Sequence, residues 1–217
     1  MATDKTLQDA FHDGLRDVLF AERASLRAQK KAARAAQMPE LKEAFEHHAG
    51  ESEEHKQRLE QVFEMIGKAA RGKTCDSIQG LMAEFEDHID EFKATEAADA
   101  VLIAGAQAKE HYEIARYGTL VTWAKQLGHD DAAKLLAQTL QEEKKTDDLL
   151  NKEAQKANKA AKQDWSGSHL RATPSPTPLH PSGEVAPETP TGSASHSGGL
   201  PAVRDLSQSG DFLEVQW

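Results

Sequence analysis

The chain has 217 residues, enough for one sizeable domain or two small ones. Its formal net charge of -10 argues against nucleic acid or an anionic membrane as partner, and a hydrophobic share of 38% with mean hydropathy -0.66 describes a soluble chain with long solvated faces. Cys75, the single cysteine, excludes an internal disulfide framework and suits a reducing compartment. The stretch MATDKTLQDAFHDGLRD lacks the apolar centre of a signal peptide, and no apolar run is long enough to cross a bilayer, so a cytoplasmic protein is expected.

Residues 1–36 read as a first helix. Thr6 is placed to cap it, with Asp9 three residues on. Leu7, Phe11, Leu15, Val18, Leu19, Leu26 and Ala33 recur at helical spacing, and Glu22 falls on that apolar face between Val18 and Leu26. Pro39 starts a second helix, where its missing N–H does no harm, and Gly67 ends it. Its stripe runs Leu41, Phe45, His48, Ser52, His55, Leu59, Val62 and Ile66, with Glu51 one residue off the centre line.

Residues 67–96 form a long connection carrying a short amphipathic helix, in which Ile78, Leu81, Met82, Phe85 and Ile89 would pin it to the rest. The segment GKAARGKT, residues 67–74, matches the phosphate-loop pattern letter for letter. That loop needs a strand before it and a helix after it, and here a long amphipathic helix precedes it, so it reads as a helix end plus a loop. A third long helix covers roughly 97–127, with Ile103, Ala106, Glu110, Glu113, Tyr117, Leu120, Val121 and Ala124 on its stripe. A fourth runs from about 130 to 158, with Leu136, Leu140, Glu143, Asp147, Leu150 and Ala154.

From about residue 163 the composition changes. Seven of the eight prolines lie there, among many Ser, Thr and Gly, which marks a disordered tail over 163–217. Its end regains Leu, Phe, Val and Trp; docking of Asp211–Trp217 to a partner is one use for it, a plain untethered end another.

Each long helix therefore carries an acidic residue near its midpoint on an apolar face: Glu22, Glu51, Glu110 and Glu143. Buried carboxylates are costly unless they are paired, protonated or bound to a cation. In antiparallel helices of equal length the midpoints share one height, so the four acids fall in one layer. Short turns join the first helix to the second and the third to the fourth, whereas the middle link of about thirty residues can run the length of a ~40 Å helix. This is an all-α, four-helix bundle with one long crossover, the ferritin-like arrangement. The two halves echo each other: Glu51 with His55 matches Glu143 with Asp147, and Glu22 matches Glu110. Glu22, Glu51, His55, Glu110, Glu143 and Asp147 form the expected metal-ligand set. Oxygen donors with one imidazole suit iron, manganese or magnesium, and the lack of thiolate argues against structural zinc. Two metal ions are expected, with iron ahead of manganese.

The segments LQDAFHDGLRDVLFAE, ELKEAFEHHAGESEEHKQRLEQVFEMIG, GKTCDSIQGLM, AKEHYEIARYGTL and AKQLGHDDAAKLLAQTLQEEKKTD resemble, in order, the YciF-like stress-response proteins of the ferritin-like superfamily. The resemblance covers about 1–160. It implies a bacterial cytoplasmic protein, often a homodimer, linked to stress and to metal or peroxide handling, in a family of poorly defined activity. Two features depart from the usual ferritin-like signature: the steps from Glu51 to His55 and from Glu143 to Asp147 are four residues rather than three, and Asp147 stands where a histidine is usual. A single metal or an incomplete site is compatible with that.

Several residues have two readings. His48 is a group supporting a ligand, or a core or interface histidine. Glu113 is a further ligand or the partner of a nearby cation. Tyr112 and Tyr117 lie near the site or simply pack, and His47, His88 and His129 read as surface or cap residues. The whole polar layer has a structural alternative, a hydrogen-bonded layer in a non-catalytic stress or interaction protein.

Overall fold

Thr6 opens the first helix through a full capping box. The Asp9 N–H donates to Thr6 Oγ1 at 3.2 Å, and Asp9 Oδ2 accepts from the Thr6 N–H at 2.9 Å. In the computed structural model, which describes residues 4–162, that helix, α1, spans Leu7–Ala35. It is followed by α2 (Pro39–Met65), α3 (Asp76–Glu91), α4 (Ala98–Gln126) and α5 (Asp130–Lys162). The expected order of elements holds. Helix α1 starts later than residue 1 because Thr6 caps it, and α5 runs past 158 because NKAAK continues with good helix formers. No strand occurs among the described residues, so GKAARGKT lacks the setting a phosphate loop requires. It is instead an end-of-helix turn and loop, tied down by the Lys73 N–H to Arg16 O (3.2 Å) and by Lys73 Nζ to Asp13 and Asp17. The tail expected at 163–217, with its docking segment, lies outside the described residues.

The packing is a four-helix bundle in which α1 pairs with α2 and α4 with α5, and the two hairpins meet through α1–α4 and α2–α5. All four neighbouring pairs are antiparallel. Gln8 at the start of α1 meets His129 beyond the end of α4, while the Gln37 and Met38 N–H groups after α1 donate to Asp99 at the start of α4. Along the other seam Arg58 meets Thr139, and His48 meets Thr146. This arrangement requires the 66–97 link to travel the full length of the bundle, and α3 covers about 24 Å of that distance.

Helix α3 packs on α1 and α4 through Ile78, Met82, Phe85 and Ile89. Helix α4 is thus contacted on two sides, and Gly105 is its point of closest approach to α3: a Cβ there would collide with the Phe85 ring. At the other end of α4, Gly128 adopts φ 75° and lets the chain turn into α5. Among the described residues, no helix is long and apolar enough to cross a membrane.

Candidate metal centre

Two apolar clusters fill the bundle. One gathers Phe11, Leu15, Leu19, Leu59, Phe63 and Leu120; the other gathers Ala28, Leu41, Phe45, Leu102 and Ile103 beneath α3. Between them lies a buried polar layer built by all four long helices. Helix α1 contributes Glu22 and Ser25, α2 contributes His48, Ser52 and His55, α4 contributes Lys109, Glu110, Glu113 and Tyr117, and α5 contributes Glu143.

The acidic and imidazole groups fall into two sets that share Glu143. In the first, His55 Nδ1 lies 3.0 Å from Glu143 Oε1 and 3.3 Å from Glu22 Oε1. Tyr117 donates its hydroxyl to Glu22 Oε1 at 2.6 Å. The far side of the His55 ring is also held: Nε2 is 3.0 Å from Glu142 Oε2, and Arg58 grips both oxygens of Glu142 while reaching Thr139 Oγ1 at 3.2 Å. The second set is His48, Glu110, Glu113 and Glu143. Within each set the candidate ligand atoms lie within 4.8 Å of one another, close enough to face one ion.

Lys109 Nζ stands inside the second set. It is 2.7 Å from Glu113 Oε2, 2.8 Å from His48 Nε2, 3.0 Å from Glu110 Oε1 and 3.8 Å from Glu143 Oε2. The other His48 nitrogen, Nδ1, lies 3.1 Å from Glu51 Oε2 and 3.2 Å from Thr146 Oγ1. At 2.8 Å only one proton fits between Lys109 Nζ and His48 Nε2, so the ammonium donates and the imidazole accepts. Ser25 donates to Glu113 Oε1 at 3.1 Å.

The electrostatics follow from burial opposed by close charge. Burial alone would push the His55 imidazole down, but the close carboxylates of Glu143 and Glu22 outweigh that and raise it to about 11. Burial opposes ionisation of Glu110 as well; a charged His48 and then Lys109 would bring its carboxyl down to about 2, and with His48 accepting from Lys109, as the 2.8 Å contact requires, Lys109 is the cation that keeps it below the usual range. For Glu113 burial prevails: Lys109 pulls down, Glu22, Glu143 and Glu110 push up, and the carboxyl sits at about 8. Lys109 is held well above the usual lysine range, against burial, by Glu110 and Glu113. Burial and then Glu22 push the Tyr117 phenol well above its ordinary value.

The layer nevertheless contains more acceptors than the protein satisfies. Among the described residues, the buried side-chain polar atoms without a hydrogen-bond partner are Glu22 Oε2, His55 Nδ1, Glu110 Oε2, Glu113 Oε2 and both oxygens of Glu143. All belong to this layer. Four of them, Glu113 Oε2 beside Lys109, His55 Nδ1 and Glu143 Oε1 beside each other, and Glu143 Oε2 facing His48 and Lys109, lie within ion-pair range without hydrogen-bond alignment. Buried polar atoms are ordinarily paired, so such a concentration at one point singles this layer out as the candidate site.

Of the six expected ligands, Glu22, His55, Glu110 and Glu143 come together in this layer. Glu51 and Asp147 do not join either set. Each four-residue step turns about 40° past a full helical turn, which carries Glu51 and Asp147 to the edges of their faces. Their side chains remain 22% and 16% exposed, where those of His55 and Glu143 are 0%. Glu51 orients His48, whereas Asp147 accepts from Gln107 Nε2 at 3.2 Å and lies 3.3 Å from His111 Nε2. His48 and Glu113 take up the second set in their place. Tyr117 is a partner of Glu22 as well as a packing residue. Lys109 was invisible to a reading that assigns lysine to solvent. The available signal was its position four residues before Glu113, which puts the two side by side on one helix face.

Known proteins share this plan. The family model described as a domain of unknown function, DUF892, matches residues 6–162. Protein YciF of Escherichia coli (strain K12) is 46% identical over 145 residues, covering 66% of this chain and 87% of YciF. The crystal structure of the E. coli stress protein YciF superposes with a TM-score of 0.69 at 41% identity, covering 72% of this chain and 99% of that one. The structure of YcfI from Rhodopseudomonas palustris superposes with a TM-score of 0.67 at 39% identity, covering 70% of this chain and 97% of that one.

Proposed function

Because this chain belongs to the DUF892 family and is a YciF-like member of a stress-protein family, we propose that its buried layer binds a divalent transition metal and uses it under stress to handle peroxide, dioxygen or the metal itself. Iron is the first expectation and manganese the second, since the donors are carboxylate oxygens and imidazole nitrogen without thiolate. The carrying observation is the group of buried atoms without a hydrogen-bond partner on Glu22, His55, Glu110, Glu113 and Glu143, gathered in two sets across the bundle.

The residues fit such an ion. Glu22, His55 and Glu143 would hold it, with His55 fixed from behind by Glu142 in the carboxylate–histidine pairing that orients metal-bound imidazoles. Iron at that place would supply one-electron chemistry toward oxygen species. The chain's own part is to fix the donors, exclude water with the two apolar clusters, and keep the Tyr117 phenol protonated against Glu22. A homodimer is the assembly proposed to go with this reading, and sedimentation velocity tests it.

Elemental analysis after purification from iron-supplemented cells tests the metal. Near-stoichiometric metal in the native chain, lost in Glu22→Ala and Glu143→Ala, is the expected result; equal traces in all three overturn it. A second reading has its own observation, the Lys109 ammonium among the acids. In it the layer is a metal-free polar core that sets packing in an interaction protein. Chelator treatment that leaves the melting temperature unchanged would favour that reading.

A further inference from the structure

We infer that Lys109 is the resident cation of one half of the centre, so that the chain binds one metal ion at Glu22, His55 and Glu143 and is closed to a second at His48, Glu110 and Glu113. The inference rests on the reading that the layer binds metal, and it concerns how many ions enter and what holds the other place.

The four residues of the second set are the same four that surround Lys109 Nζ. Three acceptor atoms stand within 3.0 Å of the ammonium: His48 Nε2, in hydrogen-bond geometry, and Glu113 Oε2 and Glu110 Oε1, as close ion pairs. The fourth, Glu143 Oε2, is at 3.8 Å and contributes charge only. The side chain is 2% exposed, so the lysine has no nearby water into which to swing. A metal entering this half would meet donors already turned toward a positive charge. It would also have to leave an unpaired ammonium in an apolar surround, which is costly.

The first set differs. Among the described residues, no lysine or arginine nitrogen lies within ion-pair distance of Glu22; its contacts are His55 and Tyr117. Arg58 stops at Glu142, Glu54 and Thr139, behind the His55 ring. Glu143 faces both halves, Oε1 toward His55 and Oε2 toward Lys109 and His48. It is therefore shared between a donor set that no lysine or arginine enters and one that holds the Lys109 ammonium. Two-ion carboxylate sites place a metal on each side of such a residue, whereas this chain places a metal-binding triad on one side and a side-chain cation on the other.

The experiment measures Mn(II) bound to the full chain at equilibrium, with electron paramagnetic resonance to separate isolated from coupled ions. The native chain is expected to bind one ion with an isolated-ion spectrum. That ion should be lost in Glu22→Gln and kept in Glu113→Gln. Lys109→Gln is expected to bind two ions and to show a coupled-pair spectrum, with circular dichroism confirming that it is folded. Two ions in the native chain overturn the inference while leaving the metal reading standing. A single ion lost in Glu113→Gln but kept in Glu22→Gln also overturns it, and this arm does not depend on whether the lysine variant folds. One ion in a folded Lys109→Gln does the same. No binding in the native chain or in Lys109→Gln defeats both the inference and the metal reading.

Discussion

Buried His55 and half-buried Glu142 form an imidazole–carboxylate pair across the α2–α5 seam, with Nε2 and Oε2 3.0 Å apart and Glu142 in turn clamped by Arg58. This pair fixes which His55 nitrogen faces Glu22 and Glu143. Glu142→Gln keeps the shape and removes the charge. It is expected to weaken metal binding about 10–100-fold, the usual cost of losing such a supporting partner, as read by competition with a chromogenic chelator. An unchanged affinity would mean that the ring is oriented by packing alone.

The same histidine sets a pH dependence in the metal-free chain. Its folded value is raised to about 11 from an ordinary 6.5, so the folded state binds a proton more tightly than the unfolded state. That contribution is fully present below about pH 6.5 and is lost as pH rises toward 11. Glu113, raised to about 8, acts in the same direction between about pH 4.5 and 8. Urea midpoints measured in excess chelator at pH 6, 7.5 and 9 are expected to fall steadily. A midpoint that rises over this range would contradict the charge arrangement at His55.

Tyr117 gives a stability test that is independent of metal. Tyr117→Phe leaves the ring in place but removes the donor 2.6 Å from Glu22 Oε1, adding one more unsatisfied buried oxygen. A loss of about 1–3 kcal/mol in urea unfolding of the metal-free chain is expected. No loss would show that another donor serves Glu22.

Gly105 tests the crossover. Gly105→Ala forces the Phe85 ring, and with it α3, away from α4, at an expected cost of about 1–3 kcal/mol from overpacking. Gly105→Ala with Phe85→Leu should recover part of that loss. Equal stability of native chain and single variant would mean that α3 shifts freely.

Deleting residues 164–217 tests the reading of the Pro- and Ser-rich segment from composition. The melting temperature of the remaining chain is expected to stay nearly unchanged. A fall of about 4 °C or more would imply contacts worth roughly 1 kcal/mol or more with the bundle.

The fold was legible because its signals are long and redundant. Helical periodicity, Pro39, the Thr6 cap and Gly128 act locally, and the length of the middle link selects the topology. The layer of Glu22, His55, Glu110 and Glu143 was legible for a related reason: an acid in the middle of an apolar stripe must be compensated. The edges of that layer were not. Whether Glu51 or His48 points inward depends on a rotation of about 60°, smaller than the width of the stripe, and on the tilt of α2 against α5. Lys109 escaped because its inward position makes sense only once Glu110, Glu113 and His48 are known to surround it.

The placement of α3 leaves the bundle unevenly shielded. It lies over α1 and α4, the side from which Glu22 and Lys109 enter the centre. On the opposite seam the cover is thin: Glu142 and Glu51 are 18% and 22% exposed, yet each touches a histidine of the buried layer. Water therefore comes nearest to the two histidines of the layer along the α2–α5 seam, through Glu51 and Glu142, and not from the face that α3 covers.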